Sequence, residues 1–203
     1  MNMSGLHLEV LGMMERLRAK IGLCYGVRVR RSQRTLDGYV FLGNENYIWV
    51  PICPLQIPEN KTRAVGIVFR VEGGELTASW IEFAIPKIQS KAGAEVPGFI
   101  PVLKSLTSGA HEQLQTRRYE RFSIPLSGNA HTTKEVIQRT ETEALVQLPP
   151  IQKVLKANRT SFPHNASIYD KAKMKDDLLM LMRARSGLTD ATNRRLAEIA
   201  NSL

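Results

Sequence analysis

A chain of 203 residues with 43% apolar content is long enough for one large domain or for a domain with a helical appendage, and it excludes disorder of the whole chain. With 28 Lys and Arg against 19 Asp and Glu, the net charge of +9 favours anionic partners. Two cysteines, Cys24 and Cys53, are too few for a disulfide scaffold and lack metal-ligand spacing, so a reducing cytoplasm is the default compartment.

Leu6, Val10, Met14, Leu17 and Ile21 recur at helical spacing, which predicts an amphipathic helix from about Ser4 to Ile21, ended by Gly22. Glu9, Glu15 and Arg16 fall inside this apolar pattern, and stretches such as Tyr47 to Pro54 are far short of a bilayer span. Neither a signal peptide, a transmembrane helix nor a membrane partner is expected. From Cys24 the chain turns to short β-type runs: Tyr25 to Arg31, Tyr39 to Leu42 and Tyr47 to Ile52, with Asp37-Gly38 and Gly43-Asn44 as turns. Pro51, Pro54 and Pro58 read Ile52 to Thr62 as loop or edge.

The segment from Ala64 to Ile85 is a hairpin with Gly73-Gly74 as its turn. Two-residue closure places Val71 opposite Leu76, Phe69 opposite Ala78, Ile67 opposite Trp80 and Val65 opposite Glu82 on one face. Arg70 with Thr77 and Val68 with Ser79 then form the other face, which is wet near the turn. Between Pro86 and Gly109 the pattern supports only a short helix over Phe99 to Leu106, started by Pro101. Tyr119 to Leu126 reads as a strand, and Thr132 to Leu148 as a helix, with a strand as the alternative at its end, stopped by Pro149-Pro150. A short helix Ile151 to Ala157 and a polar loop Asn158 to Ala166 follow. Met174, Leu178, Leu181 and Met182, then Thr192, Leu196, Ile199 and Leu203, form two apolar stripes joined at Ser186-Gly187.

The expected fold is α+β: an N-terminal helix, a central, mostly antiparallel sheet of about five strands, and a helical C-terminal third. Residues 1–148 make the α+β core and 149–203 a helical region packed on it as one domain.

Arg28, Arg30, Arg31 and Arg34 lie in one short run, and strand alternation puts Arg28 and Arg30 on one face. With Tyr47 and Trp49 on a nearby strand they compose a basic surface with stacking rings, suited to phosphates and bases. Pairing with Asp37 or Glu45, with the rings in the core, is the competing reading. A second cluster, Arg117, Arg118 and Arg121, is interleaved with Tyr119 and followed by Phe122, and a third runs Lys153, Lys156, Arg159. The last two helices have helix-turn-helix spacing, with Arg194 and Arg195 on the second, against the alternative of a packed hairpin.

Asp37 followed by Glu59-Asn60-Lys61 has the order of an acid followed by Glu-x-Lys, as in metal-dependent nucleases, and that reading alone would call for Mg²⁺. Glu82, the lone acid on the apolar hairpin face, is a further candidate, with a place at the sheet rim as the bland alternative. His7, His111, His131 and His164 have no metal-ligand pairing, and Gly73-Gly74 lacks the Lys-Ser or Lys-Thr of a phosphate loop. No cofactor is expected otherwise, and no motif decides whether the chain is an enzyme. The function expected is nucleic-acid binding, DNA or RNA, through clustered arginines. The alternatives are the nuclease and a subunit that pairs with itself or another protein through its Met-rich C-terminal helices.

Overall fold

A computed structural model describes residues 2–28, 38–57, 60–162, 168–183 and 188–203. Helix α1 (Met3–Ile21) starts where the Asn2 side chain accepts the Gly5 N–H at 2.8 Å, and it ends at Gly22, whose φ of 64° is left-handed. Its stripe of Leu6, Val10, Met14 and Leu17 is buried as the spacing predicts. The following segment is extended without joining a ladder. Within it the Gly26 N–H donates to the Pro51 carbonyl and the Arg28 N–H to the Val40 carbonyl, each at 2.8 Å. The early strand is therefore a strap held by isolated bonds.

The described residues form an antiparallel sheet of six strands: β1 (Leu42–Asn44), β2 (Tyr47–Ile57), β3 (Asn60–Glu72), β4 (Glu75–Pro86), β5 (His111–Gln115) and β6 (Tyr119–Pro125), in the order β1-β2-β3-β4-β6-β5. Strand β2 runs through Pro51 and Pro54, so of the stretch expected as loop or edge over Ile52 to Thr62, residues 52–57 and 60–62 pair as strands. Proline lacks a ladder donor, and the strand absorbs this with irregularities between Pro51, Cys53 and Pro54. On its outer side β2 pairs with β1 only as far as Trp49. Beyond that the Pro51 and Ile52 carbonyls accept Gly26 and Tyr169 N–H groups, so these residues behave as an edge.

The hairpin corrects the predicted register. Val71 does pair with Leu76, but Arg70 pairs with Ala78, which leaves Thr77 as an extra residue. Past this bulge every partner slips by one: Phe69 faces Ser79, Ile67 faces Ile81, Val65 faces Phe83 and Gly66 faces Glu82. A one-residue slip exchanges the faces. Ser79, Ile81 and Phe83 therefore point to the core, while Trp80 and Glu82 point to the opposite face with Val68 and Gly66.

The stretch after β4 holds α2 (Lys91–Glu95) and α3 (Ile100–Ser105), the latter with Pro101 in its first turn. Helix α4 (Thr133–Ala157) opens with a capping box in which Thr132 and Glu135 satisfy each other's backbone N–H. Pro149 and Pro150 lie inside it and do not stop it. Both prolines are exposed, whereas Leu148, Ile151 and Leu155 on the inner side are buried, and that burial carries the helix across the missing bonds. Helices α5 (Lys171–Arg183) and α6 (Asp190–Asn201) pack against each other. Met174, Leu178, Leu181, Leu196 and Ile199 join the same buried cluster as α1, α4 and the sheet. No described helix is long and apolar enough to cross a membrane.

Helix α4 is fastened at three levels. Ser79 and Thr140 share a buried hydroxyl bond, and the Ser127 hydroxyl accepts the Ser79 N–H at 2.8 Å. The Thr133 hydroxyl accepts the Leu76 N–H at 3.0 Å and donates to Glu75. Arg16 and Lys20 of α1 reach Glu141 at 2.7 and 2.8 Å. Partial burial would raise the Glu141 carboxyl, but these two cations outweigh it and hold it below the usual range.

Candidate functional site

Of the first arginine cluster only Arg28 falls among the described residues. Arg28 is 7% exposed and Trp49 1% exposed, so neither offers itself to a ligand, while Tyr47 is half-buried. Arg30, Arg31 and Arg34 lie outside the described residues. The burial of Trp49 has a local cause: its indole lies against Gly66, where an added Cβ would come within 2.4 Å of the indole nitrogen. Of the nuclease constellation, Asp37 and Glu59 also lie outside the described residues. Lys61 sits in β3 opposite Gln56, next to the β2–β3 connection. Among the described residues no group of three His, Cys, Asp or Glu could hold a metal ion.

The second cluster is divided by the strand it occupies. Arg121, on β6 opposite Ala84, points to the face of β4 that carries Trp80 and Glu82. Glu82 is not at a rim: it is 4% exposed in the middle of the sheet, directly opposite Ser123. Its Oε2 lies 4.0 Å from Arg121 Nη1, an ion pair too long for a hydrogen bond. The guanidinium of Arg70 lies 5.9 Å from the centre of the Trp80 ring. A row of Arg70, Trp80, Glu82 and Arg121 thus crosses this face.

Arg117 and Arg118 are exposed in the turn between β5 and β6. The Lys87 N–H donates to the Arg118 carbonyl at 2.9 Å, which ties that turn to the end of β4. Beside it opens a groove of about 460 Å³ lined by Lys87, Ile88, Lys104, Arg117 and Glu120 among others. Three cations from β4's end, α3 and the β5–β6 turn share this groove with one carboxylate, and Ile88 is 70% exposed at its wall. Sequence reasoning named Arg117 but not Lys87 or Lys104, because isolated lysines carry no local signal. Trp80 was assigned to the wrong face by the unbulged register.

The other arginines stay apart. Arg194 and Arg195 are exposed on α6, and Arg195 pairs with Glu198 at 3.1 Å. Arg159, after α4, lies 3.6 Å from Asp170. Residues 184–187, between α5 and α6, where the helix-turn-helix turn was expected, lie outside the described ones.

Comparison with family models, with curated proteins and with solved structures finds no match to this chain.

Proposed function

We propose that the protein binds nucleic acid, with phosphates seated in the groove of Lys87, Lys104 and Arg117. The observation that carries this reading is the convergence of those cations, from three separate elements, on one groove of about 460 Å³. Cations gathered in a concavity focus the field on a polyanion and displace its condensed counterions. The net charge of +9 adds long-range attraction of the same sign. The groove is short, so it accounts for a few phosphate contacts and for no base sequence by itself.

Binding of labelled duplex DNA, single-stranded DNA and RNA across a salt series, without metal, tests the reading. Wild type binds with a steep salt slope, and Lys87→Ala/Lys104→Ala/Arg117→Ala together make that slope shallower by about 2. Unchanged affinity in the triple variant removes the groove from the interface. Binding that vanishes at physiological salt for every substrate overturns the function.

A further inference from the structure

The groove of Lys87, Lys104 and Arg117 contains one group that a phosphate site alone does not explain. Glu120 lines the same cavity of about 460 Å³ and is half-buried there. It sits in β6 opposite Ile85, and strand alternation puts it on the other side of the sheet from Arg121. Among the described residues its carboxylate makes no ion pair and no hydrogen bond, although three cations share its groove. An ionised carboxylate accepts hydrogen bonds and donates none. Beside phosphates it repels, unless the ligand turns a donor toward it.

The lining as a whole matches one nucleotide unit. Lys87, Lys104 and Arg117 suit its phosphates, Ile88 at the wall, 70% exposed, suits the C–H face of its sugar ring, and Glu120 suits a hydroxyl. A deoxyribose strand carries no donor along its backbone. A ribose strand carries one at every residue, the 2′-hydroxyl, which is the group that lets proteins tell RNA from DNA. Donors on base edges differ from base to base, whereas this one recurs whatever the sequence. A divalent cation bridging Glu120 to a phosphate is disfavoured, because three protein cations surround a single carboxylate.

We infer that Glu120 accepts the 2′-hydroxyl of a ribose whose phosphates lie against Lys87, Lys104 and Arg117, so that the groove takes RNA in preference to DNA. This deepens the nucleic-acid reading and rests on it. The cations attract either polymer, and the carboxylate discriminates by penalising the strand that has no donor to offer.

The test measures binding of the full chain to short single strands of two unrelated sequences lacking uracil and thymine, each made as RNA, DNA and 2′-fluoro RNA, in EDTA at fixed salt. The 2′-fluoro strand keeps the sugar pucker of RNA and lacks the donor. Wild type binds RNA about fivefold more tightly than either other strand in both sequences, the worth of about one hydrogen bond. Glu120→Gln removes the repulsion and keeps an acceptor, so DNA affinity rises and the ratio narrows from the DNA side. The comparison of strands needs no variant, so it stands even if Glu120→Gln fails to fold. Equal affinity for RNA and DNA, or a preference that the 2′-fluoro strand shares, overturns the inference and leaves the nucleic-acid reading in place. A preference confined to one sequence, or equal gains for RNA and DNA in Glu120→Gln, overturns it too. Failure to bind any of the strands refutes the nucleic-acid reading itself.

Discussion

His7 shows how a single buried side chain couples packing to acid stability. Its ring is fully buried against Tyr39, with centroids 4.4 Å apart, and its Nδ1 accepts the Phe41 N–H at 3.1 Å. Burial first, and then the Arg28 charge, lower its pKa from 6.5 to about 3. The unfolded chain therefore takes up a proton near pH 6.5 that the folded chain refuses until about pH 3. Stability from this residue is complete above pH 6.5 and declines as pH falls toward 3, by about 1.4 kcal/mol per pH unit at the steepest. Urea unfolding at stepped pH measures that limb. His7→Gln should flatten it, and an unchanged slope would assign the acid sensitivity elsewhere. Such a histidine was legible in the sequence only as incidental, since nothing local marks position 7 as an acceptor for a strand 34 residues away.

Elements were legible where their own residues decide them. The stripe of α1, the Gly73-Gly74 turn and the stripes of α5 and α6 all depend on spacing within one segment, and the structure has each of them. Misreadings fall where neighbouring elements decide. Pro149-Pro150 ends a helix by local chemistry, since each proline removes a bond and crowds the preceding turn. In α4 the burial of Leu148, Ile151 and Leu155 outweighs that cost. Replacing both exposed prolines by alanine restores the bonds to the Leu145 and Val146 carbonyls and should stabilise the protein by about 1 to 3 kcal/mol in urea unfolding. A neutral or destabilising result would mean that packing requires the proline geometry. The bulge at Thr77 is the second such case: it turns Ser79 toward Thr140 and Glu82 away from the core, which two-residue turn logic does not anticipate.

At the scale of the molecule, one buried cluster joins the sheet to helices at both ends of the chain. Arg18 of α1 makes the same point at the surface: it pairs with Glu15 at 2.7 Å and donates to the Ser202 hydroxyl at 2.9 Å, while Glu15 also accepts the Tyr25 hydroxyl at 2.7 Å. Tyr169, just before α5, fills the space over Gly26 and donates its hydroxyl to the buried Asp177 at 2.7 Å. Met174, Leu178, Leu181, Leu196 and Ile199 of the C-terminal helices are buried in that same cluster. Thermal unfolding should show one cooperative transition, with near- and far-ultraviolet signals coincident. A chain truncated after Ala157 should lose that transition, because it exposes the surfaces that Met174, Leu178 and Leu196 cover. Two separable transitions would assign α5 and α6 to an independent unit.

The sequence by itself determined the class of fold, the first helix, the hairpin turn and the apolar stripes of the last two helices. These follow from composition and from periodicities of 2 and about 3.6 residues, which record how each segment is buried along its own length. Only the tertiary structure decided that Trp49 and Arg28 are buried, that Lys87 and Lys104 join Arg117 in one groove, and that Glu82 meets Arg121 on the face away from the core. Those outcomes turn on a one-residue bulge, on prolines overruled by packing and on contacts between distant segments, whose energies no local pattern contains.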